Sequence, residues 1–300
     1  MDFKQKYGEW LKVIDDELNR IMEVACNKEI CYEKTIYEAM KYSLLAGGKR
    51  LRPVLALAVC ELLDGKMENV LPFACAVEMI HTYSLIHDDL PAMDNDEYRR
   101  GRLTNHKVFG EAAAILAGDA LLNYAFELMT ESPSKDENIL YAKIKAMNII
   151  AKSSGSSGMI GGQVVDLESE GKSIGADTLE YMHRCKTGAL IKAPVIASAI
   201  LCNADKSEMD SLEKYAEHIG LAFQIKDDIL DVEGDFNAMG KEAGSDMQNQ
   251  KSTFITIYGL DESKRMLQRI TDEAIESISI FGEKAIYLKQ LAKYLISRNN

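Results

Sequence analysis

The sequence predicts an all-α protein, and three observations support that prediction. Only 5 prolines occur in 300 residues, and the alternation of apolar and polar residues typical of strands is scarce. Apolar residues instead repeat at helical spacing over long stretches such as 112–128 and 178–201. The composition, 47% hydrophobic and 27% charged, is that of a globular protein with a large core. We therefore expect a helical bundle around a central apolar cavity.

Helical periodicity covers most of the chain. We predict helices at 3–25, 33–46, 52–64, 69–90, 107–130, 136–154, 158–169, 177–202 and 206–232, with shorter helices from there to Arg298. Residues 70–90 and 219–230 are apolar almost all round, so both segments are expected at the centre of the bundle rather than on its surface.

One stretch, residues 153–158, has the Ser and Gly composition of a linker and offers an alternative domain boundary. The apolar pattern resumes at once over 159–165, where small residues let a helix approach its neighbours closely. We therefore predict a single domain spanning residues 1–300.

The formal net charge of −12 disfavours nucleic acid and anionic membranes as partners, because their phosphates would meet a protein of the same sign. Lys192 and Pro194 break the longest apolar run well short of a membrane span, so a cytoplasmic protein without membrane insertion is predicted. The cysteines form no CxxC pair, and we expect reduced, buried thiols. They are Cys26, Cys31, Cys60, Cys75, Cys185 and Cys202.

Two predicted buried helices end in similar acidic segments. The residues of the first segment align one by one with those of the second: Glu78, Ile80, Ile86, Asp88 and Asp89 with Glu217, Ile219, Ile225, Asp227 and Asp228. Carboxylates near a helix C-terminus face an unfavourable dipole, so compensating cations are expected. Hard oxygen ligands favour Mg²⁺, with Mn²⁺ as a substitute. A solvated acidic helix end is the alternative for either segment alone.

Spacing distinguishes the two acidic segments. Asp227 and Asp231 are four residues apart and share one helical face, so both carboxylates can point at one metal ion. Asp88 and Asp94 are six apart and would lie on different faces of a regular helix. Pro91 disfavours helix at the preceding residue, so the chain is expected to turn and bring Asp94 back toward Asp88.

A basic segment, residues 47–53, places three cations directly before a predicted helix. Helix N-termini bind phosphate, and Lys49 and Arg52 can add charge-assisted hydrogen bonds there. Arg50 has two alternatives, solvent exposure or a structural ion pair. Acids for metals and a separate basic pocket together suggest two diphosphates, one chelated by metal so that it can leave and one held by Lys and Arg.

These segments resemble the trans-isoprenyl diphosphate synthases, and most closely the bacterial-type farnesyl diphosphate synthases. The resemblance covers nearly the whole chain and rests on motifs that occur in the family's order. They are GGKRLRP, HTYSLIHDDLPAMDNDEYRRG, KTGALI, GLAFQIKDDILD and GKEAGSDMQNQKST. The resemblance implies an isoprenoid synthase-like bundle, a homodimer, and a prenyltransferase that uses isopentenyl diphosphate and allylic diphosphates.

The resemblance also implies a role for each matching residue. Asp88 and Asp94 would bind two Mg²⁺ with support from Asp89, and Asp227 with Asp231 would bind a third, beside Asp228. The allylic diphosphate would contact Arg99, Lys186, Thr187, Gln224 and Lys241, with Lys251 nearby, and isopentenyl diphosphate would contact Lys49, Arg52, His81 and Arg100. His81 has an alternative as a core residue. Lys186 and Lys241 are also expected to assist catalysis.

Product length is expected to depend on Tyr83, with Ser84 beside it. Tyr83 lies five residues before Asp88, about 7 Å along the helix axis at 1.5 Å per residue. The resemblance places this position at the floor of the product tunnel, so a bulky ring predicts farnesyl diphosphate. Geranylgeranyl diphosphate is the alternative if Tyr83 only packs in the core. A terpene cyclase and a non-catalytic synthase subunit are rival functions, disfavoured by GGKRLRP and by the presence of both acidic segments.

Overall fold

The computed structural model describes residues 2–26, 32–131, 137–233 and 252–297. The chain folds into two compact units, one of residues 1–57 and 66–143 and one of residues 58–65 and 144–300. The linker-like stretch 153–158 lies inside the second unit, so it does not mark the boundary between them. That the whole chain forms one domain stays a prediction.

The first unit is helical, as predicted. Its helices are α1 (Phe3–Cys26), α2 (Lys34–Leu44), α4 (Met67–Asp88), α5 (Asn105–Phe109) and α6 (Glu111–Glu131), while α3 (Leu51–Leu62) and α7 (Glu137–Ser154) begin in it and end in the second unit. α4 packs against α1, α2 and α6. Its side chains are buried on every face, Phe73 and Ile80 among them, which confirms the predicted central helix.

Two local features of the first unit were not predicted. The helix expected over 107–130 is divided at Gly110, whose φ of +86° is a conformation that side chains strongly disfavour, so α5 ends there and α6 begins. A short antiparallel hairpin pairs β1 (Tyr98–Arg99) with β2 (Arg102–Leu103). Arg100 and Gly101 form its turn with φ values of +52° and +73°, as a two-residue hairpin loop requires.

The second unit is also helical in its described part. After α8 (Met159–Ser169) come α9 (Ala176–His183), a π-helical turn (Arg184–Gly188), α10 (Ala189–Leu201), α11 (Lys206–Glu233), α12 (Phe254–Tyr258), α13 (Leu260–Ser277), a 3₁₀ turn (Ser279–Ala285) and α14 (Ile286–Ser297). α11 packs against α10, α13 and α14, and its Ile219 and Ile225 are fully buried, which confirms its predicted central position.

Small residues bring helices close together around the π-helical turn. A Cβ added to Gly162 of α8 would overlap the backbone of Lys186, and one added to Gly220 of α11 would lie 3.0 Å from the Cα of Gly188. The small residues predicted to permit close approach therefore do so. The π-helical turn interrupts the helix predicted over 177–202, and such turns often occur at functional positions.

Candidate active site

The first acidic segment turns back on itself, as its proline predicts. α4 ends at Asp88, and the backbone N–H of Asp94 donates to the carbonyl oxygen of Asp88 at 2.9 Å. Asn95 follows with a φ of +52°, which directs the chain onward into the hairpin. The turn therefore brings together the two residues that were predicted to bind metal.

Asp89 is held by the protein itself. Its side chain is buried, and Arg99 Nε donates to its two carboxylate oxygens at 2.8 and 2.9 Å while Arg99 Nη2 lies 2.6 Å from Oδ1. Arg99 Nη2 also lies 3.6 Å from Asp96. The hairpin thus returns Arg99 to the end of α4. Arg99 was predicted to contact the allylic diphosphate, and here it neutralises the carboxylate next to the predicted metal ligand.

Arg50 has the structural role that was one of its two predicted alternatives. Its buried guanidinium donates to Glu78 at 2.9 Å, to Asp15 at 3.0 Å and to the carbonyl of Leu44 at 2.8 Å. Burial disfavours its charge, but Glu78 and Asp15 outweigh that cost and raise the pKa of Arg50 above its ordinary value. Arg50 therefore fixes the backbone from which Lys49 and Arg52 extend.

The other predicted phosphate ligands of the first unit lie around this segment. Arg52 is buried in the first turn of α3, and Arg100 donates to the carbonyl of Gly47. Tyr7 donates its hydroxyl to the carbonyl of Lys49 at 2.5 Å, so α1 also positions the segment. Gly48 has a φ of +126°, which other residues rarely adopt, and a Cβ there would also meet the guanidinium of Arg100 at 2.7 Å, so both observations favour glycine at that position.

His81 is half-buried on α4 beside these cations. Burial lowers its pKa well below the ordinary value, and the charges of Arg52 and Arg100 lower it further. The imidazole is therefore neutral at pH 7, so it can donate one hydrogen bond to a phosphate oxygen without adding charge. Both of its predicted alternatives, binding residue and core residue, are compatible with this position.

The second acidic segment repeats the arrangement of the first. Asp227 and Asp231 lie one turn apart on α11, half-buried on one face, as predicted. Asp228 is as buried as Asp89, each with 3% exposure, and it accepts hydrogen bonds from Gln224 at 3.1 Å and from the backbone N–H of Phe254 at 2.8 Å. In both segments the second aspartate is thus held by protein donors and the first is half-exposed.

Lys186 and Thr187 lie in the π-helical turn and border a cavity of about 120 Å³ in the second unit. Thr187 donates to Gln224 at 3.1 Å, and Gln224 in turn donates to Asp228, so three predicted site residues form one hydrogen-bonded chain. Lys186 Nζ lies 2.5 Å from Asp166 Oδ2. The cavity also contacts Met182, His183, Ser252 and Thr253.

Asp166 and His183 contact predicted site residues or their neighbours in this cavity, although the sequence analysis did not single them out. Asp166 on α8 is buried and accepts a hydrogen bond from Lys186. In the sequence, the feature that could have identified it is an acidic residue within the apolar pattern of that helix. His183 is stacked on Phe254 with ring centroids 5.4 Å apart. Burial, opposed by Asp166 and assisted by Lys186, lowers the pKa of His183 to about 4, so it is uncharged beside the lysine.

The carboxylate pairs fit Mg²⁺ by their donor chemistry. Within the described ranges no three His, Cys, Asp or Glu side chains are gathered closely enough to hold a metal ion by themselves. Mg²⁺ is usually held by one or two carboxylates, with waters and substrate phosphates completing its octahedral shell. The pairs Asp88 with Asp94 and Asp227 with Asp231 match that pattern. Lys241 and Lys251 lie outside the described residues.

The predicted chain-length residues lie on α4 shortly before Asp88. Tyr83 is buried with 6% exposure, and its hydroxyl has no hydrogen-bond partner among the described residues. Burial raises its pKa to about 12, with a smaller contribution from Asp88. Ser84 is half-buried and donates to the carbonyl of His81 at 2.8 Å. An aromatic ring with an unbonded hydroxyl thus packs in the first unit near the acidic turn.

Comparison with known proteins identifies the family. A sequence model described as polyprenyl synthetase matches residues 33–287. The chain is 48% identical over 287 residues to a geranylgeranyl diphosphate synthase of Cyanophora paradoxa, with 95% of both chains covered. It is 46% identical over 284 residues to a farnesyl diphosphate synthase of Micrococcus luteus, covering 95% of this chain and 96% of that one.

A solved structure agrees with these sequence relatives. The crystal structure of an FPP/GFPP synthase from Zymomonas mobilis superposes with a TM-score of 0.85 at 35% identity, over 97% of this chain and 99% of that one. The all-α class and the resemblance inferred from the motifs are therefore confirmed. The chain belongs to the polyprenyl synthetase family and is a trans-prenyltransferase.

Proposed function

We propose that this protein is a farnesyl diphosphate synthase, which joins dimethylallyl and then geranyl diphosphate to isopentenyl diphosphate. The observation that carries the product length is the buried ring of Tyr83, five residues before Asp88 on α4. A chain that grows past Asp88 toward this ring meets an aromatic side chain rather than open space. Geranylgeranyl diphosphate is the second candidate, because a relative of similar identity is named for that product.

The acidic residues are proposed to bind the metal ions that stabilise the leaving diphosphate. We propose that Asp88 and Asp94 bind two Mg²⁺ and that Asp227 and Asp231 bind a third. When bound, the metal supplies charge stabilisation to the departing diphosphate. Asp89 and Asp228 act as positioning residues, because each is already held by protein donors. Mn²⁺ has the same preference for oxygen ligands and would substitute.

The basic residues hold the two diphosphates. Lys186, Thr187 and Gln224 are proposed to contact the allylic diphosphate, and Asp166 orients Lys186 for that purpose. Lys241 and Lys251 are assigned to the same diphosphate from their motif. Lys49, Arg52 and Arg100 are proposed to hold isopentenyl diphosphate, with the neutral His81 as a hydrogen-bond donor.

The reaction itself requires no side-chain nucleophile. The allylic carbon–oxygen bond breaks and gives an allylic cation and diphosphate, and the isopentenyl double bond supplies two electrons to form the new carbon–carbon bond. The resulting cation loses a proton to the released diphosphate, which restores a double bond. The residues of this chain orient the two substrates and exclude water, which would otherwise quench the cation.

Product analysis tests this function. Purified protein is incubated with Mg²⁺ and isopentenyl diphosphate, and in separate reactions with dimethylallyl, geranyl or farnesyl diphosphate, with product length read by mass spectrometry. We expect farnesyl diphosphate as the end product and little extension of a farnesyl starter. Geranylgeranyl diphosphate as the end product would still indicate a prenyltransferase, but it would refute the proposal that Tyr83 stops the chain at farnesyl length. A reaction without isopentenyl-dependent product would favour a cyclase or a non-catalytic subunit.

We also propose that the protein acts as a homodimer in the cytoplasm. By length and composition α6 could cross a membrane, but it packs against α2, α4 and α5. Only 33% of its most apolar stretch is buried, so part of its apolar surface is exposed. Ile115 and Leu116 remain 44% and 54% exposed. A second copy of the chain covering this face would remove them from water.

The described cysteines Cys60, Cys75, Cys185 and Cys202 are free thiols, which suits a reducing compartment.

Charge placed on that face is expected to separate the dimer. Leu116→Asp would bury an unpaired carboxylate in the interface, so the mass measured by light scattering should fall from that of a dimer to that of a monomer. Val24→Asp, an equivalent change at a side chain that is 65% exposed on α1, is the matched control and should stay dimeric. A wild-type protein that is already monomeric at micromolar concentration would contradict the proposal.

A further inference from the structure

His87 fills the space between α4 and α6 beside Tyr83. The imidazole of His87 packs edge-to-face against the Tyr83 ring, with centroids 5.6 Å apart and planes at 80°. The two residues are four apart on α4, so their side chains meet on one helical face. Because the Tyr83 hydroxyl has no hydrogen-bond partner among the described residues, no polar anchor of its own fixes the ring.

The imidazole is fixed in turn by α6. His87 Nε2 lies 3.0 Å from the carbonyl oxygen of Ile115. A carbonyl can only accept, so Nε2 carries the hydrogen and donates it. The imidazole lies over Gly118, where an added Cβ would overlap Nε2 and the neighbouring ring carbons. The absence of a side chain at Gly118 therefore makes room for the imidazole.

We propose that His87 is a positioning residue for product length: seated over Gly118 and bonded to Ile115, it holds the Tyr83 ring across the path of the growing prenyl chain. This inference rests on the proposed function, since it concerns the same product stop. The imidazole has no part in ionising the substrate. Its loss leaves the acidic residues in place and affects how far the chain can extend.

Two substitutions test the proposal from opposite sides. His87→Ala removes the support of the ring, and Gly118→Ala forces the imidazole out of its place while keeping it in the protein. Each should raise the ratio of longer to wild-type-length product about ten-fold, because pocket changes of this size alter discrimination by roughly 10- to 200-fold. Release of diphosphate with a dimethylallyl starter should change less than the product ratio.

Combining His87→Ala with Gly118→Ala tests whether the two substitutions act through the same imidazole. Once His87 is alanine, a methyl group at Gly118 has nothing to displace, so His87→Ala with Gly118→Ala should give the product ratio of His87→Ala alone. Gly8→Ala is the matched control, because a Cβ at Gly8 in α1 has no atom within 4 Å. It should leave the product ratio unchanged.

The outcomes separate this proposal from the function on which it rests. If wild-type protein forms no prenyl product, the proposed function fails. If wild-type protein forms farnesyl diphosphate and both single variants keep its product ratio, only the role of His87 is overturned. Additive effects in the double variant would also overturn it. Should His87→Ala fail to fold, Gly118→Ala alone decides, since alanine is the more favourable residue within a helix.

Discussion

Replacing Asp88 with asparagine is expected to lower kcat on the order of 10²- to 10³-fold, comparable to the loss of a single group that stabilises a transition-state charge. Asparagine keeps the size of the side chain and removes only its negative charge. The turn that brings Asp94 to Asp88 depends on a backbone hydrogen bond, which the substitution leaves in place. The fold should therefore remain, and the helical circular dichroism spectrum should not change.

Two measurements make this result specific to metal binding. Steady-state turnover gives the loss of kcat, and titration with diphosphate in the presence and absence of Mg²⁺ gives the metal-dependent part of binding, which should weaken. Asp64→Asn is the matched control, because Asp64 is 74% exposed and paired only with a surface lysine, Lys284, among the described residues. Near-normal turnover of Asp88→Asn would contradict the assignment of Asp88 as a metal ligand.

The sequence predicts the central helices because their physical signal is strong and local. Residues 70–90 and 219–230 are apolar almost all round, and helices of that kind are stable only when buried, as these segments of α4 and α11 are. The turn after α4 was predictable for the same reason, since Pro91 acts on its immediate neighbours. Thr187 and Gln224 were assigned by resemblance, and the structure brings them into contact.

Features that depend on distant residues were not predictable in this way. The pairing of Asp89 with Arg99 depends on a hairpin whose turn gives only an Arg-Gly signal in the sequence. Asp166 and Lys186 are twenty positions apart and meet because Gly162 lets α8 approach the π-helical turn. The π-helical turn was not predictable either, because α10, which follows it, is buried on nearly every face and has no apolar stripe whose shift could mark an extra residue.

Replacing Tyr83 with alanine is expected to move the main product from farnesyl to geranylgeranyl diphosphate or longer. The side chain is 6% exposed, so its removal leaves a cavity on the face of α4 that precedes the acidic turn. We expect at least a ten-fold rise in the ratio of longer to farnesyl product, about the lower end of what a changed pocket achieves. Mass spectrometry of products from a geranyl starter measures it, and an unchanged spectrum would refute the stop.

Tyr83→Phe separates the ring from its hydroxyl. Because the hydroxyl has no hydrogen-bond partner among the described residues, its removal should leave product length unchanged and should not destabilise the protein. Tyr83→Ala should lower the free energy of unfolding by roughly 3 kcal/mol, as large-to-small core substitutions of aromatic residues do. If Tyr83→Phe lengthened the product as much as Tyr83→Ala, the hydroxyl and not the bulk of the ring would set the limit. The buried aromatic ring of Tyr83 would then have no role as a steric stop.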